Sequence, residues 1–431
     1  MYLVYEVALY LVLIIGLPFF LLRGKYVSTF SERMGHYRGA PRTHDVWIHA
    51  VSVGEALAAK PVVDQLLRIR PETTMVFTTT TATGQAQAKK LFPFATVTYF
   101  PLDFSVAVKR FLNHHRPRVF AAMETEIWPN ATRLSAARGI KLLLANGRIS
   151  DRSFPRYRMA RPVVARILRH YDRILARDAQ DADRFRAIGA ERVEVAGNVK
   201  FDYAPDERLL DFDLLALAAG RPIVVLGSTM EGEDEALLPE VMALGAFVVV
   251  APRKPERFEV VASLLAVECG GHAAARSAAA WPPHSTALLL DTIGELARVY
   301  RHATAAFIGG SLVPTGGHNP IEPAAAGVPV VTGAHTHNFH AIVDLLRKAD
   351  AIVQMPPVEG DAAATELAKT VGELLANPSR RTELATRAKQ LIVTNQGAAE
   401  RTVKIITPLL SAKRRDSSPS NPVLAANAQT S

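Results

Sequence analysis

Short apolar runs alternate with helix-patterned segments along almost the whole chain, and this rhythm limits the possible folds more than any other feature. In the first half the runs are 46–50, 74–78, 96–100, 118–123, 141–145, 173–176 and 192–195. A charged stretch comes next, around 202–220, and a second series begins: 222–226, 246–250, 286–290, 305–308, 328–331 and 351–353. Runs this short, bounded by turn-forming residues, read as buried strands. Strands that alternate with helices build parallel sheets covered on both faces. The expected fold is therefore α/β, with two Rossmann-like domains (23–205 and 206–410) facing a central cleft. A length of 431 residues agrees with more than one domain.

The ends read differently. Residues 1–22, MYLVYEVALYLVLIIGLPFFLL, carry one charge, Glu6, and Arg23 and Lys25 come directly after. A secretory signal would begin with a positive region and end in small residues, and this segment does neither. It reads as an uncleaved membrane anchor. The uninterrupted apolar run 7–22 contains Pro18 and is short for a full span, so a tilted or surface-lying helix stays open. The positive flank places the domain after it on the cytoplasmic side. Residues 411–431 are polar and read as a disordered tail.

Charge is uneven. Residues 1–220 hold 31 Lys and Arg against 21 Asp and Glu, while the remainder holds 19 against 20. Between Arg148 and Arg177 nine arginines face only Asp151 and Asp172, as a solvated basic face or an attractor for anionic substrate or membrane surface. No nucleic-acid motif accompanies the charge. The single cysteine, Cys269, excludes a disulfide framework and a thiolate metal site. Asp181-Ala182-Asp183 and Asp211-Phe212-Asp213 do not follow strands as a nucleotide-metal site would. No phosphate-binding G-x-x-x-x-G-K-[ST] motif occurs. No metal and no cofactor is expected.

Candidate chemistry gathers at strand ends, where parallel sheets bind ligands. Ser52-x-x-Glu55 has the spacing of a helix capping box, and Glu55 is equally placed to act as a base. Glu124 and Glu126 directly follow a buried strand, where carboxylates need partners or helix-start amides. Lys200 follows another strand. Arg253, in Ala251-Pro252-Arg253-Lys254, has a fork suited to phosphate or to a surface carboxylate. Asp291-Thr292-Ile293-Gly294-Glu295 is a further strand-end turn. The stretch 309–329, GGSLVPTGGHNPIEPAAAGVP, combines glycines that let backbone approach a ligand with a helix start: Asn319 as cap, Pro320 first and Glu322 third.

Together these strings resemble the bacterial Kdo transferases, which pass 3-deoxy-D-manno-oct-2-ulosonic acid (Kdo) from CMP-Kdo to the lipid A precursor. The resemblance rests on SERMGHY, HAVSVGE, METEIWPN, NGRIS, GNVKFD, APRKPERF, DTIGEL and GGSLVPTGGHNPIEPAAAGVPV, in order. It implies the GT-B glycosyltransferase fold, CMP-Kdo as donor, lipid IVA as acceptor, inversion at the anomeric carbon, and action at the inner membrane without a metal. It further implies Glu55 as general base and Glu124 and Lys200 as transition-state stabilisers. The nucleotide would be held by Pro252, Arg253, Ile293, Gly294, Glu295, Asn319, Pro320, Ile321 and Glu322. Ile293 stands where methionine is common, and Lys254 where histidine is common. A GT-B enzyme for another nucleotide sugar, a UDP-sugar transferase or epimerase, is the competing reading.

Overall fold

The protein is described by a computed structural model, which covers residues 1–23, 27–203, 208–358 and 360–411. It divides into two compact units: Met1–Asp202 with the chain from Gln396 onward, and Tyr203–Asn395.

In the first unit the strands are β1 (His44–His49), β2 (Met75–Thr79), β3 (Thr96–Tyr99), β4 (Pro117–Met123), β5 (Lys141–Gly147), β6 (Arg173–Ala176) and β7 (Val193–Val195). They form one sheet in the order β3-β2-β1-β4-β5-β6-β7, every pair parallel. Alternation along β1 sends Val46 and Ile48 into one core layer and Trp47 into the other, where its ring stacks on Phe120 with centroids 3.7 Å apart. Chain order reverses between β1 and β4. That switch point opens at the carboxyl ends of the two strands.

The second unit contains β8 (Ile223–Thr229), β9 (Phe247–Pro252), β10 (Ala273–Ala275), β11 (Ala287–Leu289), β12 (Ala305–Ile308), β13 (Val330–Thr332) and β14 (Val353–Gln354). They are again all parallel, in the order β10-β11-β9-β8-β12-β13-β14. Here the switch point lies between β8 and β12. Apolar runs in the sequence mark six of these seven strands. The exception is β10, an edge strand of three alanines with no large apolar residue to mark it.

The domain boundary at 410 is corrected by the structure. The helix Ala398–Ser411 belongs to the first unit, where Ala398, Val403, Ile406 and Leu410 share a core with Val62, Leu66 and Phe77. Asp202 secures the return by accepting from the amides of Gly397, by a short bond, and Ala399, at 2.6 Å. A linear reading cannot see that a last helix packs on a domain begun some 350 residues earlier. The tail from 412 lies outside the described residues.

Residues Tyr2–Arg23 form one helix, yet among the described residues no helix is long and apolar enough to cross a membrane. A spanning anchor at 1–22 is therefore not borne out. The helix spends its polar groups on the first unit. Tyr5 donates to Asp103 Oδ2 at 3.0 Å, and Glu6 accepts from Ser105 N at 3.0 Å and Asn130 Nδ2 at 2.7 Å. Tyr2 lies under the Arg133 guanidinium and meets His170 Nε2 at 3.2 Å. Leu3, Val4, Val7, Leu11, Ile14 and Ile15 remain exposed.

Because the final helix completes the first core, Ile406→Ala is expected to cost about 2–5 kcal/mol, as for other deletions of buried aliphatic groups. Urea unfolding followed by hydrogen exchange should show the loss in the strands β1–β4. A loss confined to β8–β14 would contradict this assignment.

Candidate active site

In the first unit the site is assembled by the β1/β4 switch point. The helix Val53–Ile69 starts just beyond β1, and Glu55 lies in its first turn. Its carboxylate turns back to accept from Val51 N at 2.7 Å, while the Ser52 hydroxyl donates to it at 3.4 Å. The capping box is thus only half formed: Ser52 makes no side-chain cap, and Glu55 reaches the amide one residue before the position expected. Burial pushes the Glu55 carboxyl up to about 7; the Val51 amide opposes this, and the charges of Glu124 and Glu126 add to it. A carboxyl so placed is half ionised near neutrality, as a general base requires.

Beyond β4 the chain turns through Glu124, whose φ of 57° lies in the left-handed region that a side chain rarely adopts. Its carboxylate is clamped by Arg148 Nε at 3.0 Å and Lys200 Nζ at 3.7 Å. Lys200 follows β7 in a short 3₁₀ turn, and burial pulls its ammonium below the usual lysine value against the pull of Glu124. Two carboxyls and a lysine predicted from sequence therefore come together in one unit. Arg148 lies within the string NGRIS, but nothing in the sequence gives it this role. Glu126 has different partners: Trp128 Nε1 donates to its Oε2 at 2.8 Å, and His49 Nε2 stands 3.5 Å from the same oxygen.

The predicted nucleotide residues lie at strand ends of the second unit. Pro252 ends β9, and Arg253 is exposed, with no ion pair among the described residues. The turn after β11 exposes the Ile293 side chain and puts Gly294 at a φ of 95°. The Glu295 carboxylate is committed to the protein, held by Arg276 at 3.0 Å, by Arg298 at 3.4 Å and by the Thr292 hydroxyl. Ile293 and Gly294 are therefore exposed in this turn, while the Glu295 carboxylate braces it from inside.

The stretch 309–329 separates into two parts. A Cβ on Gly309 would sit 2.4 Å from the Ser228 carbonyl oxygen, so only glycine lets β12 pass the end of β8. The next amides, of Gly310, Ser311 and Leu312, all donate to buried Glu233, at 2.6, 3.0 and 2.9 Å. Glu233 takes a fourth bond from Met230 N at 2.9 Å. The glycine-rich entry to the loop is thus already filled by an internal carboxylate, which sets it apart from the predicted nucleotide residues 319–322. There Asn319 Oδ1 accepts from Ile321 N at 3.0 Å and Asn319 Nδ2 donates to Glu322 at 3.2 Å. The helix is the short segment Ile321–Ala325, and Asn319 caps it across Pro320, which has no N–H to satisfy. Burial raises the Glu322 carboxyl, opposed by Asn319 and the charge of Arg253. Burial and Arg253 push His318 down to about 4, so this imidazole is neutral. Glu233 sits one turn after β8 in a run of acids, and no motif separates it from its neighbours.

Glu233→Ala would strip four backbone donors of their acceptor, at about 1–3 kcal/mol for each left buried and unpaired. Calorimetry is expected to show the second unit losing more than about 3 kcal/mol. An unchanged melting profile would rule out this role.

Comparison with known proteins bears on the family and the fold. Residues 28–203 match the family described as 3-deoxy-D-manno-octulosonic-acid transferase (kdotransferase). The chain is 36% identical over 400 residues to the 3-deoxy-D-manno-octulosonic acid transferase of Haemophilus influenzae, covering 90% of this chain and 92% of that one. It is 37% identical over 390 residues to that of Bordetella pertussis, covering 86% and 89%. In fold it is similar to MurG of Acinetobacter baumannii, with a TM-score of 0.53 at 16% identity over 85% of this chain and 100% of that one. Identity of this extent, over nearly the full length of both relatives and across both sheets, places the chain in the 3-deoxy-D-manno-octulosonic acid transferase family of glycosyltransferases.

Proposed function

We propose that the protein transfers Kdo from CMP-Kdo to a lipid A precursor, lipid IVA, by direct displacement with inversion, and that Glu55 is the general base. The observation that carries this reading is Glu55 itself: a carboxyl beyond β1, pushed to about 7 by burial with Glu124 and Glu126 beside it. In the reaction an acceptor hydroxyl gives its proton to Glu55 and its oxygen bonds to the anomeric carbon of Kdo. The bond from that carbon to the CMP phosphate breaks, and CMP leaves with the electron pair. Glu124, held between Arg148 and Lys200, supplies fixed charge to a centre that becomes cationic as the bond to CMP stretches. Lys200 balances the carboxylates. On the second unit Arg253, the one nucleotide-site candidate with an exposed cationic fork, suits the phosphate of the leaving CMP. Glu322 and Asn319 suit the sugar and base of the nucleotide, and Pro252, Pro320, Ile321, Ile293 and Gly294 shape its surroundings. CMP leaves with one phosphate, so a guanidinium suffices and no metal is required of the mechanism.

The same reading gives the N-terminal helix a place. Its exposed stripe of Leu3, Val4, Val7, Leu11, Ile14 and Ile15 lies away from the face bound through Tyr5 and Glu6. Arg161, Arg166, Arg169 and Arg186 line a depression in the same unit, and Arg166 acts on Tyr2 of that helix. An exposed apolar stripe on a unit that also carries this basic cluster suits a helix lying in the surface of an anionic inner membrane, with the catalytic units cytoplasmic.

Incubation with CMP-Kdo and a tetraacylated lipid A precursor in the presence of chelator is expected to release CMP and form a Kdo-lipid, read by mass spectrometry. Turnover of a UDP-sugar in place of CMP-Kdo would reject the donor. Glu55→Gln is expected to lower kcat by about 10²–10⁴-fold. The base must be ionised, so kcat/KM should fall as pH drops through about 7. A flat profile from pH 6 to 8 would count against Glu55. For the membrane, vesicles with anionic lipid should bind the protein in flotation, and Leu11→Asp with Ile14→Asp should weaken binding by at least about tenfold. Equal flotation of that variant would remove the helix from the interface.

A further inference from the structure

His49 is the last residue of β1 and fully buried, and the roles given above to Glu55, Glu124 and Lys200 make no use of it. Its ring lies against Phe100, with centroids 4.0 Å apart, and near Trp128, at 6.5 Å. Nδ1 is 3.1 Å from the Thr78 carbonyl oxygen and 3.0 Å from Thr78 Oγ1. That hydroxyl already accepts from Trp47 Nε1 at 2.8 Å, and its own proton has the Ile48 carbonyl as acceptor at 3.3 Å. A carbonyl oxygen only accepts, so Nδ1 carries a proton.

Nε2 is then the nitrogen in question. It is buried without a hydrogen bond and faces Glu126 Oε2 at 3.5 Å. With Nδ1–H fixed, a neutral ring would aim its Nε2 lone pair at a carboxylate oxygen in a poorly solvated site, which is repulsive. The same Oε2 also accepts from Trp128 Nε1 at 2.8 Å. A proton on Nε2 turns the His49–Glu126 contact into an attractive one.

We propose that His49 carries protons on both ring nitrogens and forms a buried imidazolium–carboxylate pair with Glu126, and that this pair is the positioning element of the strand-end loop 124–128. The loop is pinned at three further points: the Thr125 hydroxyl donates to the Arg148 carbonyl, Glu124 N donates to the Ala145 carbonyl at 2.9 Å, and Tyr171 donates to the Glu126 carbonyl at 3.2 Å. The His49 pair adds the one charged tie between this loop and β1. Together they hold Glu124 in its left-handed conformation, one that residues with a side chain rarely adopt. The other charged or titratable groups around the pair are Glu55 on the helix Val53–Ile69, Glu124 within the loop, Arg148 after β5, Lys200 after β7, and the hydroxyls of Tyr157 and Tyr171. Any effect of the pair on turnover rests on the roles proposed for Glu55 and Glu124; the protonation of His49 does not.

The test uses the full chain labelled with ¹⁵N-histidine, with His49 assigned by the resonance missing in His49→Gln. At pH 7.5 both ring nitrogens of His49 are expected to show imidazolium shifts, and in Glu126→Gln the ring should turn neutral with the proton on Nδ1. A neutral His49 in the unsubstituted protein, or ring signals unchanged in Glu126→Gln, would overturn the pair. In Kdo transfer, Glu126→Gln and His49→Phe should each lower kcat by about ten- to a hundredfold with KM for CMP-Kdo nearly unchanged. His49→Gln, which keeps an N–H donor near Glu126, should recover part of the loss. Full activity of all three variants would overturn the positioning role. Full activity of Glu55→Gln would instead sink the base assignment, and the histidine spectrum would still stand.

Discussion

The parallel pairing of β1 with β4 is the contact on which the rest of the first unit depends. Ile48 sits opposite Ala121 and His49 opposite Ala122, and the Trp47–Phe120 stack locks that register from one face. Parallel strands cannot be joined by a tight turn, so every connection crosses over the sheet. At this pair the crossovers leave in opposite directions, and the chain after each strand end is left side by side. One connection carries Glu55 and the other carries Glu124 and Glu126. A slip of one residue would turn His49 and Trp47 to the opposite faces and separate these groups.

Bringing several carboxylates together away from bulk water is unfavourable, and the structure meets that cost in a different way at each one. Glu124 is neutralised by Arg148 and Lys200. Glu126 is held by Trp128 and His49. Glu55 accepts from the Val51 amide and the Ser52 hydroxyl, and burial lifts its carboxyl to about 7. The three acids thus differ in their partners, and that difference underlies the separate tasks proposed for Glu55 and Glu124. In the second unit Glu233 and Glu295 are likewise satisfied internally, by backbone amides and by arginines. Arg253, Asn319 and Glu322 are the groups of this unit that the proposed function assigns to the nucleotide.

Much of this is legible in the amino-acid order. The alternation of apolar runs marks thirteen of the fourteen strands, because a strand covered on both faces must be apolar along its length and such runs stand out. β10 escapes because three alanines on an edge bury little. The site residues are legible as polar residues next to those runs. Partners are not. Nothing near Glu124 in sequence indicates Arg148 or Lys200, and nothing near Gly310 indicates that Glu233 fills its amides. The Ser52–Glu55 spacing is legible and its outcome is not, since the carboxylate bonds to Val51 N and leaves the Ser52 cap unmade.

The sequence by itself determined the fold class, the family, the strand ends at which the candidate residues gather and the residue types placed there, because periodicity and short-range turn chemistry are local properties of the chain. Only the tertiary structure decided which carboxylate is paired and which is free to titrate, that the last helix completes the first core, and that the N-terminal helix binds through Tyr5 and Glu6 with its apolar side exposed. Those outcomes depend on burial and on distances between residues far apart in sequence, and both exist only once the sheets have formed.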